Sequence, residues 1–310
     1  MKKKVEEAGF QDSPFLLYCT RLGNSRKEYG MKIGYIQFKP AFGDTVSNVD
    51  AMRHFISSVE ADLLVLPELA TTGYSFATKE ELAPIAEPFE LSPSLDALQK
   101  TARERSCGLV VGFAEASGDR IFNSAALLRP DGTRGLYRKI HLFGAENLLF
   151  DPGDRPFEVF DFDGVRLGVM ICFDWYFPES VRVLALKGAQ VICHPVNFIL
   201  PWGQRAMVIR CLENRVFAVT ANRYGAERHG ERSFTFTGAS QITSPTGEIL
   251  AAAPAEGDHT AVVEIDPTAA DNKRINRFND LFENRRIEFY GELTEKKKDG
   301  QDNRIKQDKK

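Results

Sequence analysis

From residue 31 onward the chain alternates short apolar runs with amphipathic stretches. Residues 31–38, opened by Met31, have a strand pattern, and residues 62–66 form a second, short apolar strand that Pro67 and Glu68 close. Between them, residues 48–60 place Met52, Phe55, Ile56 and Val59 on one helical face. Residues 94–106 repeat that helical pattern with Leu95, Leu98 and Ala102 inward, and 109–113 return to strand. Asp131-Gly132 and Asp163-Gly164 mark hairpins, the first joining 123–129 to 136–138 and the second joining 159–162 to 165–171. Residues 141–156 read as loop. Beyond them come helix over 179–187, stopped by Gly188, strand over 190–193, helix over 202–214 and strand over 216–221. A polar loop is expected over 225–233, strands over 235–242, 248–252 and 260–264, and a short helix over 269–275. Strands that alternate with helices, interrupted by hairpins, predict mixed sheets with helices on their outer faces.

No internal repeat and no Pro/Gly/Ser-rich linker interrupts 31–290, so this stretch reads as one domain. Residues 1–30 lack periodicity and read as a disordered N-terminal extension; residues 291–310 read as a disordered charged tail. With 43% hydrophobic and 27% charged residues among 310, the chain has the makings of a sizeable core. A net charge of −3 gives no electrostatic case for nucleic acid or an anionic membrane as partner. No apolar run approaches the ~18 residues of a membrane span, and the Phe15 to Tyr18 patch is too short for a secretory signal. The five cysteines, Cys19, Cys107, Cys172, Cys193 and Cys211, are scattered, without a C-x-x-C. They suggest neither a disulfide framework nor a zinc site, so a reducing, cytoplasmic compartment is expected.

Candidate chemistry gathers where apolar runs end. The run 165–171 ends on Cys172, followed by an aromatic turn and then Pro178 and Glu179 at a helix start. Proline loses nothing there, and a carboxylate faces the positive end of the helix dipole. Such strand-to-helix turns hold a side chain rigidly beside backbone donors. Taken alone, Cys172 reads as a buried core cysteine. Glu68 and Lys139 also close strands, however, and Glu146 follows in the loop after Lys139. Each alone is a strand boundary; together they supply a nucleophile, a carboxylate base and a cation. A thiol at its ordinary pKa is mostly protonated at neutral pH and needs such a base or cation. A fixed ammonium can also stabilise an oxyanion.

Three segments, Leu66-Pro67-Glu68-Leu69-Ala70-Thr71-Thr72-Gly73-Tyr74, Tyr137-Arg138-Lys139-Ile140-His141-Leu142-Phe143 and Ile171-Cys172-Phe173-Asp174-Trp175-Tyr176-Phe177-Pro178-Glu179, resemble the signature blocks of the nitrilase superfamily of carbon–nitrogen hydrolases in order and spacing. The likeness extends to residues 210–215 and Asn222 and covers about Met31 to Tyr290. The pattern is most similar to small archaeal and bacterial aliphatic nitrilase/amidase members. The resemblance implies an α/β fold of the four-layer α-β-β-α sandwich type. It also implies a Glu–Lys–Cys triad, with Glu68 as general base and acid, Lys139 as oxyanion stabiliser and Cys172 as nucleophile. Glu146 matches the family's second glutamate, which positions substrate and supports Lys139, and the Phe173 N–H would be the other oxyanion donor. No metal or organic cofactor is implied. Pairing through outer helices is, which makes a homodimer or higher homo-oligomer the expected state.

The expected activity is hydrolysis of a small amide or carbamoyl compound to an acid and ammonia or an amine, through a Cys172 thioester. An amide is favoured over a nitrile because Phe173-Asp174 after the cysteine is similar to amidase-like branches, whereas many nitrilases carry Trp-Glu there. The alternatives are a nitrilase acting through a thioimidate, acyl transfer to an amine, and a catalytically silent binding or scaffold protein on the same fold. Tyr74, Phe143, Trp175 and Asn197 are candidate pocket walls, with core packing an equal reading for the aromatics. His194 reads as structural rather than as half of a Cys–His dyad. His141 either orients its loop or faces solvent. Glu213 and Asn214 read as structural, Glu213 against backbone N–H groups or near Lys139. Arg205 and Arg223 are candidates for binding a substrate carboxylate, with surface solvation the favoured role for both.

Overall fold

Strand alternation decides how the sheets are covered. In β1 (Met31–Gln37) Ile33 and Tyr35 face one side and Ile36 the other. β2 (Leu63–Val65) and β3 (Gly108–Ser117) follow the same rule, with Leu63, Val65 and Val110 on one face and Leu64, Leu109, Val111 and Phe113 on the other. Both faces are apolar, so each needs a cover. Two helices, α1 (Thr45–Ser57) and α3 (Pro93–Arg105), supply one, packing Val49, Met52 and Ile56 beside Leu95, Leu98 and Ala102. Asp44 and Ser92 start them by accepting the N–H groups of Ser47 and Leu95. The single turn α2 (Lys79–Leu82) lies in the connection between β2 and α3. The computed structural model describes residues 30–295. The expectations for the N-terminal extension and for the tail beyond 295 lie outside the described residues. Gly291–Leu293 form a 3₁₀ turn, so regular structure runs past the expected boundary at 290.

β4 (Arg120–Leu128) and β5 (Arg134–Arg138) complete the first half as an antiparallel meander on β3. The second half repeats this plan, although no repeat is visible in the residues. A hairpin of β6 (Val159–Phe162) and β7 (Val165–Val169) leads through α4 (Pro178–Leu186) to β8 (Val191–Val196), and α5 (Gly203–Asn214) leads on to β9 (Phe217–Asn222). β7, β8 and β9 are parallel, as β1, β2 and β3 are. A separate hairpin, β10 (Tyr224–His229) with β11 (Arg232–Thr237), precedes β12 (Gln241–Thr243), β13 (Ile249–Ala252) and β14 (His259–Ile265). The sheet orders are β14-β1-β2-β3-β4-β5 and β13-β12-β9-β8-β7-β6. Ile33, Leu63 and Val65 of the first sheet share one core with Leu167 and Val169 of the second, and with Val181, Leu184, Met207 and Cys211 of α4 and α5. The result is the expected four-layer α-β-β-α sandwich. No helix among the described residues is long and apolar enough to cross a membrane.

Four local expectations are corrected. Residues 225–233, read as a polar loop, belong to the β10–β11 ribbon, paired from Tyr224↔Thr237 to His229↔Arg232. This ribbon stands off both sheets, so most of its residues keep contact with water and its composition stays polar. The strand expected over 235–242 breaks where Gly238 and Ala239 take positive φ (54° and 52°), which sends β12 into the second sheet. The helix expected over 269–275 is only a 3₁₀ turn, Pro267–Ala270. The strand read as running to Ile171 stops at Val169, and Cys172 opens a 3₁₀ turn, Cys172–Tyr176.

One glycine fixes how closely the Glu68 turn lies on β3. A Cβ at Gly112 would stand 2.5 Å from the Pro67 carbonyl oxygen and 2.6 Å from Glu68 Cα. Those neighbours are backbone and cannot rotate away. Gly112→Ala is therefore expected to lower stability by about 1–3 kcal/mol, the usual cost of overpacking. It should also displace Glu68, so urea unfolding should show the loss together with a fall in activity. An unchanged midpoint and an unchanged rate in Gly112→Ala would contradict the close approach.

Candidate active site

The loops that follow β2, β5, β7 and β8 bring Glu68, Lys139, Cys172 and Asn197 together, outside the carboxyl ends of the parallel strands where α/β folds place ligands. Lys139 is the centre. Its ammonium is sealed from solvent and donates to Glu68 Oε1 at 2.6 Å and to Glu146 Oε1 and Oε2 at 2.9 and 2.8 Å. Burial alone would push a lysine pKa down, but the Glu146 and Glu68 carboxylates outweigh it and hold the ammonium charged. Burial raises the Glu146 carboxyl above the usual carboxylate range, against the pull of Lys139. The preceding residue anchors the strand end. Arg138 points to the other side of β5, donates to Glu115 at 2.9 Å and to Asp154 at 2.9 Å, and lies over the Phe122 ring.

Glu68 is bound asymmetrically. Its Oε1 accepts from Lys139 and from Asn123 Nδ2 at 2.7 Å, while Oε2 is buried without a partner. The Cys172 thiol sits within the field of this cluster. Burial pushes its pKa well up, Glu68 pushes in the same direction, and Lys139 opposes both. Burial and the Glu68 charge thus both favour the neutral thiol over the thiolate. Cys172 also has a φ of +39°, a conformation a side chain rarely adopts unless its surroundings enforce it.

Asp174 ties down the turn around Cys172, a structural part that its place in the Phe173-Asp174 pair does not reveal. It is fully buried and accepts from the Ile171 N–H (2.9 Å), the Tyr137 hydroxyl (2.6 Å), the His141 N–H (3.2 Å) and His141 Nδ1 (2.8 Å). His141 therefore orients its loop, stacked on Phe177 at 3.8 Å. His194 is structural, as read: its Nε2 donates to the Cys172 carbonyl at 3.1 Å from the far side of the turn.

Beside the sulfur lies a narrow cavity of about 20 Å³, lined by Phe143, Cys172, Phe173, Trp175, Asn197, Phe198, Ile199 and Leu200. Phe143, Phe173, Trp175 and Asn197 are thus brought together in one lining. Asn197 is the one side chain in this lining that can both donate and accept strong hydrogen bonds. Both its amide atoms are buried without partners, and its backbone N–H faces the Cys172 sulfur. Tyr74 is not part of this lining; it is buried near the cluster and donates its hydroxyl to Glu146 Oε1 at 2.7 Å. Arg223 is a correction. It is fully buried and paired with Glu227, whereas Arg205 is exposed. Glu213 pairs with Arg210 at 3.1 Å rather than approaching Lys139, and Asn214 is buried on its own helix.

A buried thiol, a carboxylate with one unpartnered oxygen and a buried ammonium thus meet at the strand ends of a four-layer sandwich. The family model described as carbon–nitrogen hydrolase matches residues 30–274, and the chain belongs to that family. A nitrilase of Pyrococcus abyssi is 45% identical over 263 residues, covering 84% of this chain and 99% of that one. An (R)-stereoselective amidase of Pseudomonas sp. is 36% identical over 271 residues, covering 86% and 95%. Among solved structures, the amidase of Nesterenkonia sp. AN1 with acrylamide added to its active-site cysteine has a TM-score of 0.70 at 25% identity, covering 85% of this chain and 99% of that one.

His194 gives the site a pH signature in stability. Burial lowers its pKa from 6.5 to about 4 in the folded protein. Between those values the unfolded chain binds the proton and the folded one does not, so stability rises with pH. The contribution is complete above pH 6.5 and is lost as pH falls through about 4, by roughly 3 kcal/mol at most. Urea midpoints taken from pH 7 to 4 should fall more steeply for the wild type than for His194→Gln. Parallel curves would refute the buried neutral imidazole.

Proposed function

We propose that the protein hydrolyses a small, neutral amide to an acid and ammonia or an amine through a Cys172 thioester. The observation that carries this is the asymmetry of Glu68: one oxygen is held by Lys139 and Asn123, the other is buried and unpartnered, and its charge, with burial, pushes the Cys172 thiol pKa up. Glu68 Oε2 takes the Sγ proton as sulfur attacks the carbonyl carbon. The carbonyl electron pair moves to oxygen, where Lys139 Nζ and the Phe173 N–H hold the charge. Glu68 returns the proton to the departing nitrogen, the C–N bond breaks, and the thioester remains. Water attacks it next; Glu68 takes that proton and returns it to sulfur as the C–S bond breaks. Glu146 keeps Lys139 aimed at the oxyanion.

The cavity supports the substrate class. Its lining is aromatic and aliphatic apart from Asn197 and the sulfur, and it contains no arginine or lysine. A substrate carboxylate would enter without a counter-charge, which is costly in a buried site. An amide instead offers both a donor and an acceptor to the unpartnered Asn197 side chain. A nitrile is the second reading, favoured by the 45% identity to the protein called a nitrilase.

Two experiments test this. Ammonia release should be fastest on short aliphatic amides and much slower on N-carbamoyl amino acids and ω-amides of dicarboxylates. Turnover of nitriles with every amide untouched would select the second reading. Cys172→Ala should abolish turnover, and Lys139→Met should lower kcat by about 100- to 1000-fold, as for loss of an oxyanion donor. Substantial turnover by Cys172→Ala would end the thioester mechanism.

A further inference from the structure

Two more buried charges lie outside the cluster around Cys172. Arg223 follows β9 with no exposed surface, and Glu227 on β10 is 6% exposed. The guanidinium donates through Nη1 to Glu227 Oε2 at 2.8 Å and lies 4.2 Å over the Phe236 ring. The other oxygen of Glu227 accepts the backbone N–H of Tyr74 at 2.9 Å and of Ser75 at 2.7 Å. Two amides on one oxygen fix both the position and the direction of the chain there. From that fixed backbone the Tyr74 hydroxyl reaches Glu146 Oε1 at 2.7 Å, and Glu146 holds Lys139. The same turn carries Glu68 and passes through positive φ at Leu69 (48°) and Gly73 (80°), so it does not hold its shape unaided.

We propose that Arg223 and Glu227 are a positioning pair for the reacting centre, holding Tyr74, and through it Glu146, in register with Lys139. The proposal rests on the reading of Lys139 as the oxyanion stabiliser. Stability alone does not account for the charges, because a buried ion pair commonly gains nothing over apolar residues of the same volume. What the carboxylate supplies is a strong acceptor for two loop amides. What Arg223 supplies is the counter-charge that lets this carboxylate stay ionised without water.

A double-mutant cycle in the full-length protein, assayed with the best amide from the screen above, tests the link. Tyr74→Phe removes only the hydroxyl, and Glu227→Ala removes the acceptor of both amides. Each is expected to lower kcat about 10- to 100-fold, the scale of a small misplacement of reacting groups, with KM held within about threefold. The double variant should be no slower than the slower single, since both break one chain of contacts. Effects that multiply would overturn the proposal. So would a fall in Tm for Glu227→Ala with kcat unchanged, which is the mark of a merely structural pair. The charge-free double variant Arg223→Met/Glu227→Gln keeps an acceptor for the amides and leaves no unpaired ion. It should return kcat to within about threefold of wild type; a rate as low as that of Glu227→Ala would also overturn it. Lys139→Met separates the two levels. If it stays active, the reading of the site fails; if it is inactive while Glu227 and Tyr74 act independently, only the positioning role fails.

Discussion

A lysine ammonium stripped of water between two carboxylates is the constraint on which this protein turns. An isolated charge in that position would be too costly to keep, so Lys139 is stable only while Glu68 and Glu146 stand within hydrogen-bond distance. Those partners arrive on separate loops, one after β2 and one in the turn Gly144–Leu148. Each loop is tied in its own way: by the close approach of Pro67 and Glu68 to Gly112, and by the Tyr74 hydroxyl on Glu146. The charges thereby demand a geometry, and the surrounding contacts make it the only one available. A single ion cluster thereby fixes a carboxylate and an ammonium whose charges both reach the sulfur.

Most buried polar groups in a folded protein find partners. Here Glu68 Oε2 and both amide atoms of Asn197 are among those that do not, and both residues act on the Cys172 thiol. Together with the left-handed backbone at Cys172 they mark the place where the fold accepts a stability cost. Residues a turn away, such as Asp174 and Arg138, are by contrast saturated with hydrogen bonds.

The sequence made the layers legible because both strand faces and one face of each long helix are apolar with regular spacing. Leu63 to Leu66 and the 165–171 run could be read for that reason, and the charged residues closing them stood out. The β10–β11 ribbon could not be read this way. It lies outside both sheets, so its residues alternate without burying a full face, and Gly225 and Gly230 look like loop punctuation. Arg223 and Glu227 were hidden with it: a buried arginine and glutamate look like surface residues until the partner is placed. Asn123 sits inside an otherwise ordinary strand, and the structural part of Asp174 is not visible within its block; only the folded chain aims them at Glu68 and at the Cys172 turn. The repeated topology of the two halves was invisible because it is kept by strand direction and order, not by side chains.

That repetition has a consequence for how the enzyme fails. Glu68, Lys139 and Glu146 belong to the first half and its loops, whereas Cys172 and Asn197 belong to the second. Neither half carries a reactive set of its own. Parting the two inner sheets separates Glu68 and Lys139 from Cys172 before any strand is lost. Heat inactivation should therefore track the slip of one sheet against the other, with no half-active species on the way, and catalysis itself becomes a gauge of the seam between the layers.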